Sequence, residues 1–468
     1  MRAFVVLMMF NFTCVAFAQE METRTPPRRI EIPQTFTGSV SQGMATGSSI
    51  PLSIADAIDR ALKYNLETIL IGQDTRVARA ARLRTLSELL PRVNAGVSEY
   101  VQQINLAAFG FTSFPNVRPV VGPFSVFDAR ARYSQTLLDF RRLHEFRSAG
   151  EDVKASVSAQ EDVREIVVLV TTDLYLEAVA ASSRVDAART QLKTYQATFD
   201  RATALKESGV AAGLDVVRAQ VQLQAQQQRV VSTENDLAKA KLNLARGIGL
   251  PQGQEFTQTD TFATTASVPT PEFNQLLTSA LDARPDYRRA MSLVRSAEES
   301  RKAAVGRGRP SVIVNADYGD LGTTPGTSHG TFLAQATLLI PIYTGRSVEA
   351  EVLESDALLE QRKAEAANLR DRIEYEIRTA NLDIQSALAQ VKVAESAKNL
   401  AQQQLMQSED RFTAGVANSL EVVQAQDAVA TADENYISSL YMLNVAQASL
   451  ARAVGAAEKT IKTYFGGK

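Results

Sequence analysis

The chain has 468 residues, with 50 Lys and Arg against 52 Asp and Glu, no Trp and a formal net charge of −2. Charges of both signs are interleaved along helical stretches rather than gathered into a basic block, so composition gives no support for nucleic-acid binding. Aromatic residues make up only 7%, and long stretches are dominated by Ala, Gln, Val and Leu. This composition favours extended helices over a thick globular core.

The first 18 residues are typical of a secretory signal peptide. Arg2 precedes an apolar run from Ala3 to Phe17, and Ala16-Phe17-Ala18 supplies the small residues of a cleavage site. A membrane anchor is the alternative, but the run is short for a span. Cys14 is the only cysteine and lies inside this segment, so we expect an exported chain without disulfides or a lipid anchor.

The first ordered element is predicted to be a helix. Residues 19–50 contain several prolines and indicate an extended segment. Ser53 is placed to cap a helix, with Asp56 three residues later, and the helical pattern continues to Leu90. The apolar residues that define its buried face are Ile54, Ala57, Ile58 and Ala61.

After Pro91 the hydrophobic period changes from helical to two, which indicates β-strands. Strands are predicted around 93–101, 128–137, 312–318 and 331–340, and each is about as long as a tilted strand that crosses a bilayer. In 128–137 polar and apolar residues alternate, as lumen and lipid faces of a membrane strand do. The polar set is Asp128, Arg130, Arg132, Ser134 and Thr136, and the apolar set is Ala129, Ala131, Tyr133 and Leu137. Half-buried soluble hairpins would give the same pattern.

Very long helices follow each pair of strands. From near Gly150 to Ser208 apolar residues recur in steps of three, four or seven, and about 60 residues would make a rod of roughly 90 Å. Val216, Leu223 and Val230 begin a strict seven-residue repeat in the returning helix. The pattern fits the wall of a tube, but it fits an isolated coiled coil equally well.

The chain is internally duplicated. An offset of 219 pairs Ala61-Leu62 with Ala280-Leu281 and Pro91 with Pro310, whereas an offset of 206 pairs Gly209 with Gly415. We therefore divide the chain into repeats 51–250 and 271–456, a linker 251–270 and a tail 457–468. The second repeat is predicted to open at Thr270-Pro271-Glu272, with proline at a first helical position. The difference of 13 residues is assigned to a strand-connecting loop, Gln103 to Ser125, whose counterpart is Gly319 to Gly330.

These parts together predict an α+β membrane duct. Downstream of the signal no apolar run approaches the length of a transmembrane helix, so a membrane location requires strands. Four strands per chain are too few for a barrel, and open edges are not tolerated in lipid. Several chains must then share one barrel, continued by a coiled-coil α-helical barrel.

The order of these elements resembles the outer-membrane efflux protein family, the TolC-like ducts. The matching segments are 134–139, 339–345 and the two hairpin tips, 208–217 and 414–423. The resemblance implies a homotrimer with a twelve-stranded barrel, in the outer membrane of a Gram-negative-type bacterium and in contact with its lipid. It also implies a periplasmic adaptor and an inner-membrane pump of the RND or ABC type.

The hairpin tips are the first candidate site. Gly209 and Gly415 are expected to end helices in a left-handed turn. The resemblance further makes the tips the periplasmic entrance and adaptor-docking surface. The residues assigned to that surface are Gly209, Val210, Ala211, Leu214, Gly415, Val416, Ala417 and Leu420.

Three residues are candidates for a gate or selectivity ring. Asp215 and Glu421 follow the two turns at equivalent positions, where an acid also stabilises the first turn of a helix. Gln424 lies one turn after Leu420 and is neutral where some relatives carry an acid. Phe412 and Ala417 carry no hydroxyl or guanidinium to tie the hairpins together.

The polar strand face is the second candidate site. Asp128, Arg130 and Arg132 are predicted to face the lumen, where the arginines would make it basic unless Asp128 neutralises them. We find no nucleotide loop, zinc spacing or serine-centred elbow, and His144 and His329 lie beside or within predicted loops. The sequence therefore predicts no enzyme, cofactor or metal site. The alternative function is a periplasmic coiled-coil adaptor or scaffold.

Overall fold

The computed structural model describes residues 38–110, 118–210, 212–263, 272–417 and 419–465. All of these residues belong to one compact unit, 33–468. The predicted signal peptide, most of the 19–50 segment, and Thr270 and Pro271 lie outside the described residues.

Each repeat opens with a short helix followed by a longer one. These helices are α1 (Ile54–Tyr64) and α2 (Leu66–Ser87) in the first repeat, and α5 (Phe273–Ala283) and α6 (Pro285–Gly306) in the second. Ser53 caps α1 in a capping box with Asp56, as predicted. The prediction of one helix running to Leu90 is wrong, because the backbone becomes extended at Asn65.

The same break occurs at Arg284 in the second repeat, immediately before Pro285 at the first position of α6. A residue that precedes proline is driven out of the helical region, which explains the break there. The predicted helix start at Pro271 is also corrected, since Glu272 is the N-cap of α5.

Four strands form one antiparallel sheet in the order β2–β3–β5–β6. They are β2 (Arg92–Asn105), β3 (Val120–Leu138), β5 (Ser311–Gly322) and β6 (His329–Leu339). The strands extend into both predicted loops, so the bounds Gln103–Ser125 and Gly319–Gly330 were too wide. A strand can continue beyond the point where its alternation becomes untidy, because backbone pairing with the neighbouring strand is enough to hold it.

The register separates polar from apolar side chains across all four strands. One cross-strand row is Ala95, Ala131, Tyr318 and Phe332, and the adjacent row on the other face is Asn94, Arg132, Asp317 and Leu333. Since paired residues share a face, the apolar sets recognised in separate strands merge into one surface. Many of its side chains are exposed, including Val93, Val97, Val101, Tyr318 and Phe332.

Two long helical hairpins follow the strands. They are α3 (Phe140–Glu207) with α4 (Gly213–Gly247), and α7 (Ser347–Thr413) with α8 (Ser419–Ala453). The first long helix begins ten residues before the predicted Gly150, because the Asp139 side chain accepts a hydrogen bond from the Arg142 amide and caps it there. One stretch of α3 has the length and apolar composition of a membrane span, but 72% of it is buried inside the protein.

The helices form two successive layers that share α3 and α7. On the sheet side, α2 packs against α3, α3 against α6, and α6 against α7. On the tip side the order of packing is α4, α3, α8, α7. The seven-residue repeat supplies the buried side chains between them, including Val230 and Leu244 on α4 and Val422, Val429 and Leu443 on α8.

Between the layers, the linker and the C-terminus pack against the helices. Strand β1 (Ile50–Leu52) pairs in parallel with β4 (Phe256–Gln258), so the predicted irregular linker contains a strand. Asn444 on α8 is fully buried and exchanges hydrogen bonds of 3.1 Å with the backbone of Ala263. The predicted tail forms helix α9 (Ala457–Phe465), whose first amide donates to Glu165 at 2.7 Å.

Candidate functional site

The two hairpin tips have the left-handed glycines that the sequence predicts. Gly209 has φ 75° and Gly415 has φ 71°, and each follows a long helix. The next amides complete the helix ends: Val210 donates to the Leu205 carbonyl at 2.9 Å, and Val416 donates to the Arg411 carbonyl at 3.1 Å. The turns are thus held by hydrogen bonds that place Val210 and Val416 at the apices.

Most of the assigned docking residues are exposed at these tips. Val210, Leu214, Val416 and Leu420 are exposed apolar side chains, whereas Ala417 is half-buried. Ala211 lies outside the described residues. Exposed apolar side chains at a turn cost free energy in water unless they are covered, so they suit a contact surface.

Asp215 connects the two hairpins. Its Oδ1 accepts a hydrogen bond of 2.5 Å from the Oγ of Ser419, the buried first residue of α8. The Arg218 guanidinium lies 3.7 Å from the same carboxylate oxygen. Asp215, which also lies in the first turn of its own helix, therefore bonds to the other repeat.

Glu421 occupies the matched position but has a different partner. Its carboxylate lies 3.1 Å from the Nε of Arg411, within the same hairpin. Gln424 is exposed. The equivalent acids Asp215 and Glu421 therefore make different contacts: Asp215 bonds to Ser419 of the opposite hairpin, and Glu421 pairs with Arg411 of its own hairpin.

A small apolar core lies directly behind the tips. Ala202 and Ala219 of the first hairpin pack against Phe412 and Val422 of the second. Phe412 has no polar group with which to bond the other hairpin. It contributes to the contact between the hairpins by burial instead, since its side chain is only 5% exposed. Burying a side chain of this size stabilises the contact by about 1.5–3 kcal/mol.

Above this core the hairpins meet along a polar seam between α3 and α8. Thr198 accepts from Gln426 at 2.7 Å, Tyr195 donates to Asp427 at 3.1 Å, and Arg184 donates to Glu434 at 2.9 Å. Further along, Tyr441 donates to Asp173 at 2.7 Å. Burial, followed by the negative charge of Asp427, raises the pKa of Tyr195, so its hydroxyl stays protonated and donates at neutral pH.

The structure brings the predicted strand residues together on one face of the sheet. Arg130 donates two hydrogen bonds to Asp128, from Nε to Oδ1 at 2.6 Å and from Nη2 to Oδ2 at 2.5 Å. Its Nη1 donates to Asp317 at 3.2 Å, and Arg132 reaches Asp128 at only 3.5 Å. Arg130 is therefore neutralised by two carboxylates, which is the alternative that the sequence left open.

Two contacts at the candidate sites were not predicted from the sequence. Ser419 provides the hydroxyl that Phe412 and Ala417 lack, and Asp317 is the second acid beside Arg130. Asp317 alternates with Asn315 and Gly319 on a strand whose apolar face alone was noted. Its polar neighbours were a signal that would have placed it on the Arg130 face.

Both layers of the structure end in open edges. Within the described residues, β2 and β6 each pair on one side only. On the tip side, α4 and α7 are the outer helices and carry stripes of exposed apolar side chains. These are Val217, Val221, Val231 and Leu242 on α4, and Tyr375, Leu382, Val393 and Leu400 on α7.

A four-stranded sheet with an exposed apolar face, continued by long helical hairpins with open edges, defines the class of outer-membrane channel that extends into the periplasm. Comparison with known proteins agrees. The family model for outer membrane efflux proteins matches residues 72–250 and 276–456. The chain belongs to this family, and both matched segments correspond to the internal repeats.

Individual relatives are distant in sequence but cover most of the chain. The toluene efflux pump outer membrane protein TtgC of Pseudomonas putida is 25% identical over 427 residues, which cover 85% of this chain and 83% of TtgC. The outer membrane protein VceC of Vibrio cholerae has a TM-score of 0.74 at 14% identity, covering 87% of this chain and 97% of VceC. The CmeC channel of Campylobacter jejuni has a TM-score of 0.72 at 16% identity, covering 92% and 93%.

Among the described residues, no group of three or more His, Cys, Asp and Glu side chains has an arrangement that would hold a metal ion. The sites of this channel are accordingly described by charge, shape and exposure.

Proposed function

We propose that the protein is a passive trimeric conduit that carries cargo from an inner-membrane pump through the periplasm and the outer membrane. The observation that carries the proposal is that the sheet and the tip-side helical layer each end in two outer elements, which have no further neighbour within the described residues. Three copies would join β6 to β2 of the next copy and close a twelve-stranded barrel without edges. The apolar sheet face would then contact outer-membrane lipid, and the polar face with Asp128, Arg130 and Arg132 would line the lumen.

The helical edges support the same assembly. The stripes on α4 and α7 overlap along the helices, because they lie 8–33 residues from Gly209 and 15–40 residues from Gly415. Apolar stripes that follow one face of each helix pack into one another in coiled coils. A second copy would cover both stripes and continue the barrel as a helical tube.

The tips would receive the partners. Exposed Val210 and Leu214 at one tip and Val416 and Leu420 at the other fit an apolar contact with a periplasmic adaptor protein. The adaptor would connect the conduit to an inner-membrane pump of the RND or ABC type. In this account the protein does no chemistry and needs no cofactor.

Asp215, Glu421 and Gln424 would form the gate at this entrance. Asp215 supports the proposal because its bond to Ser419 joins the hairpins at their tips, where separating them would widen a mouth formed by three copies. Carboxylates repeated three times around a narrow mouth would attract cations and repel anions.

Cell fractionation tests the conduit against the adaptor or scaffold alternative. We expect the protein in outer-membrane fractions, soluble only in detergent, and assembled as trimers. Val393→Lys with Leu400→Lys should weaken the trimer, because lysines would be buried between copies, whereas exposed Glu395→Lys off this stripe should not. Recovery from the soluble periplasm without detergent would exclude the conduit and favour the adaptor.

A further inference from the structure

The charges on the polar sheet face are not equally available to a passing solute. The side chains of Asp128 and Asp317 are only 8% and 17% exposed, whereas the Arg132 side chain is 57% exposed. Arg130 covers both acids. The cluster has two charges of each sign, but its exposed surface is a guanidinium.

Gly319 explains how Arg130 can lie along the sheet. It pairs directly with Arg130, and a Cβ at position 319 would come within 2.7 Å of the Arg130 Cγ and closer still to its backbone. No side chain fits there, so Arg130 stays against the strands and reaches Asp317. Its charge and hydrogen-bond donors are therefore satisfied by Asp128 and Asp317 on the sheet.

A second cation lies next to Arg132 on the same face. Asn94 pairs with Arg132, and Arg92 pairs with Ser134, so Arg92 and Arg132 are diagonal neighbours on adjacent strands. Diagonal neighbours are about 7–8 Å apart, close enough for two long side chains to reach one ligand. Arg92 is exposed, its Nε donates a long hydrogen bond of 3.4 Å to the Ser87 carbonyl, and among the described residues no acid forms an ion pair with it.

We propose that Arg132, assisted by Arg92, is an anion-recognising site on the conduit wall that favours cargo carrying carboxylate, sulfate or phosphate groups. This inference rests on the proposed conduit, in which the polar face lines the lumen. The planar guanidinium matches the two oxygens of such anions, and Arg132 keeps most of its donors because its one ion pair within the described residues, with Asp128, is long. Three copies would repeat the site around the barrel.

Block of the current by a multivalent anion tests the site. Purified protein would be placed in planar bilayers, and inositol hexakisphosphate added on the side of the strand-connecting loops. We expect Arg132→Gln to weaken the block by about twofold to fivefold, since a solvent-exposed charge contact is lost, and Arg132→Lys to weaken it less. The block should also fall as salt concentration rises.

Arg118→Gln is the matched control, because it removes one exposed arginine from the loop at the far end of β3. It should leave the block unchanged. Channels that conduct and are blocked equally in wild type and Arg132→Gln would overturn the anion site and leave the conduit intact. A wild-type protein that does not conduct at all would overturn the conduit and the site together.

Discussion

Ser419 donates its hydroxyl to the carboxylate of Asp215 at 2.5 Å, joining the first turn of α8 to the first turn of α4. The two residues belong to different repeats and lie 204 positions apart. Ser419 is buried, so water does not readily replace Asp215 as its partner. This contact is a direct hydrogen bond between the hairpins at their tips, and it gives the proposed gate a specific bond to break.

Ser419→Ala should shift the entrance toward its open form. A hydrogen bond to a charged group contributes about 1.5–3 kcal/mol, so its loss should change the ratio of open to closed channels by roughly tenfold or more. Single-channel recordings in planar bilayers measure this ratio. Ser439→Ala is the control, since that buried hydroxyl bonds only to Tyr436 of its own helix. Open probabilities that are equal in wild type and Ser419→Ala would show that the tie does not gate the channel.

Gly209→Ala and Gly415→Ala should each loosen one tip. A left-handed conformation costs a residue with a Cβ roughly 1–2 kcal/mol, which corresponds to about five- to thirtyfold faster local opening. Hydrogen exchange at the amides of Val210 and Val416 would detect it, because these amides close the two turns. Gly47→Ala, in open space and without a positive φ, should change nothing. Unaltered exchange at both tips would mean that the turns tolerate a side chain.

Arg284→Met should strongly destabilise the second repeat. The Arg284 side chain is 2% exposed and bonds to Asp286 at 2.6 Å and to Glu376 at 2.6 Å. Removing one partner from a buried ionic cluster leaves uncompensated charge and costs about 3–5 kcal/mol. The midpoint of urea unfolding should fall accordingly. Arg288→Met removes an exposed pair with Glu161 and should cost only about 0–1 kcal/mol. Equal effects of the two substitutions would contradict the structural role of Arg284.

Glu165→Gln should be tolerated at neutral pH and should alter the pH dependence of stability. Burial raises the pKa of Glu165, and the Ala457 and Glu458 amides of α9 only partly offset this effect. A raised pKa means that its favourable contribution is present below the unfolded pKa of about 4.3 and is lost as pH rises through the folded value. The variant should therefore be at least as stable as wild type at pH 7.5, with any gain disappearing toward pH 4.

Thermal unfolding in detergent at both pH values would measure this difference. Glu161→Gln is the control, because it removes an exposed carboxylate one turn earlier on α3. A large loss of stability in Glu165→Gln at pH 7.5 would show that the charge itself is required to hold α9.

The sequence predicted the features that depend on local periodicity. The strand faces, the two helical hairpins, the turns at Gly209 and Gly415 and the capping box at Ser53 all follow from residues close together in the chain. The duplication added a check, since each repeat predicts the other. The breaks at Asn65 and Arg284 were missed although the Arg284-Pro285 step was a local signal.

The remaining features depend on which distant segments meet. The Asp215–Ser419 bond depends on how the two hairpins are aligned along their length, so that their tips lie side by side. The Arg130–Asp317 contact depends on the register between strands from different repeats. No local pattern specifies either. The short strand β4 and helix α9 were also missed, because both are held by contacts with other elements, such as the pairing of Ile50 with Phe256.

A trimeric conduit requires that the open edges of one chain be closed by two further copies. Native mass spectrometry of the protein extracted from outer membranes into mild detergent tests it most directly. We expect a complex of three chains that persists in wild type and dissociates in the Val393→Lys, Leu400→Lys variant. A stable, membrane-extracted monomer would contradict the shared barrel and the conduit built on it.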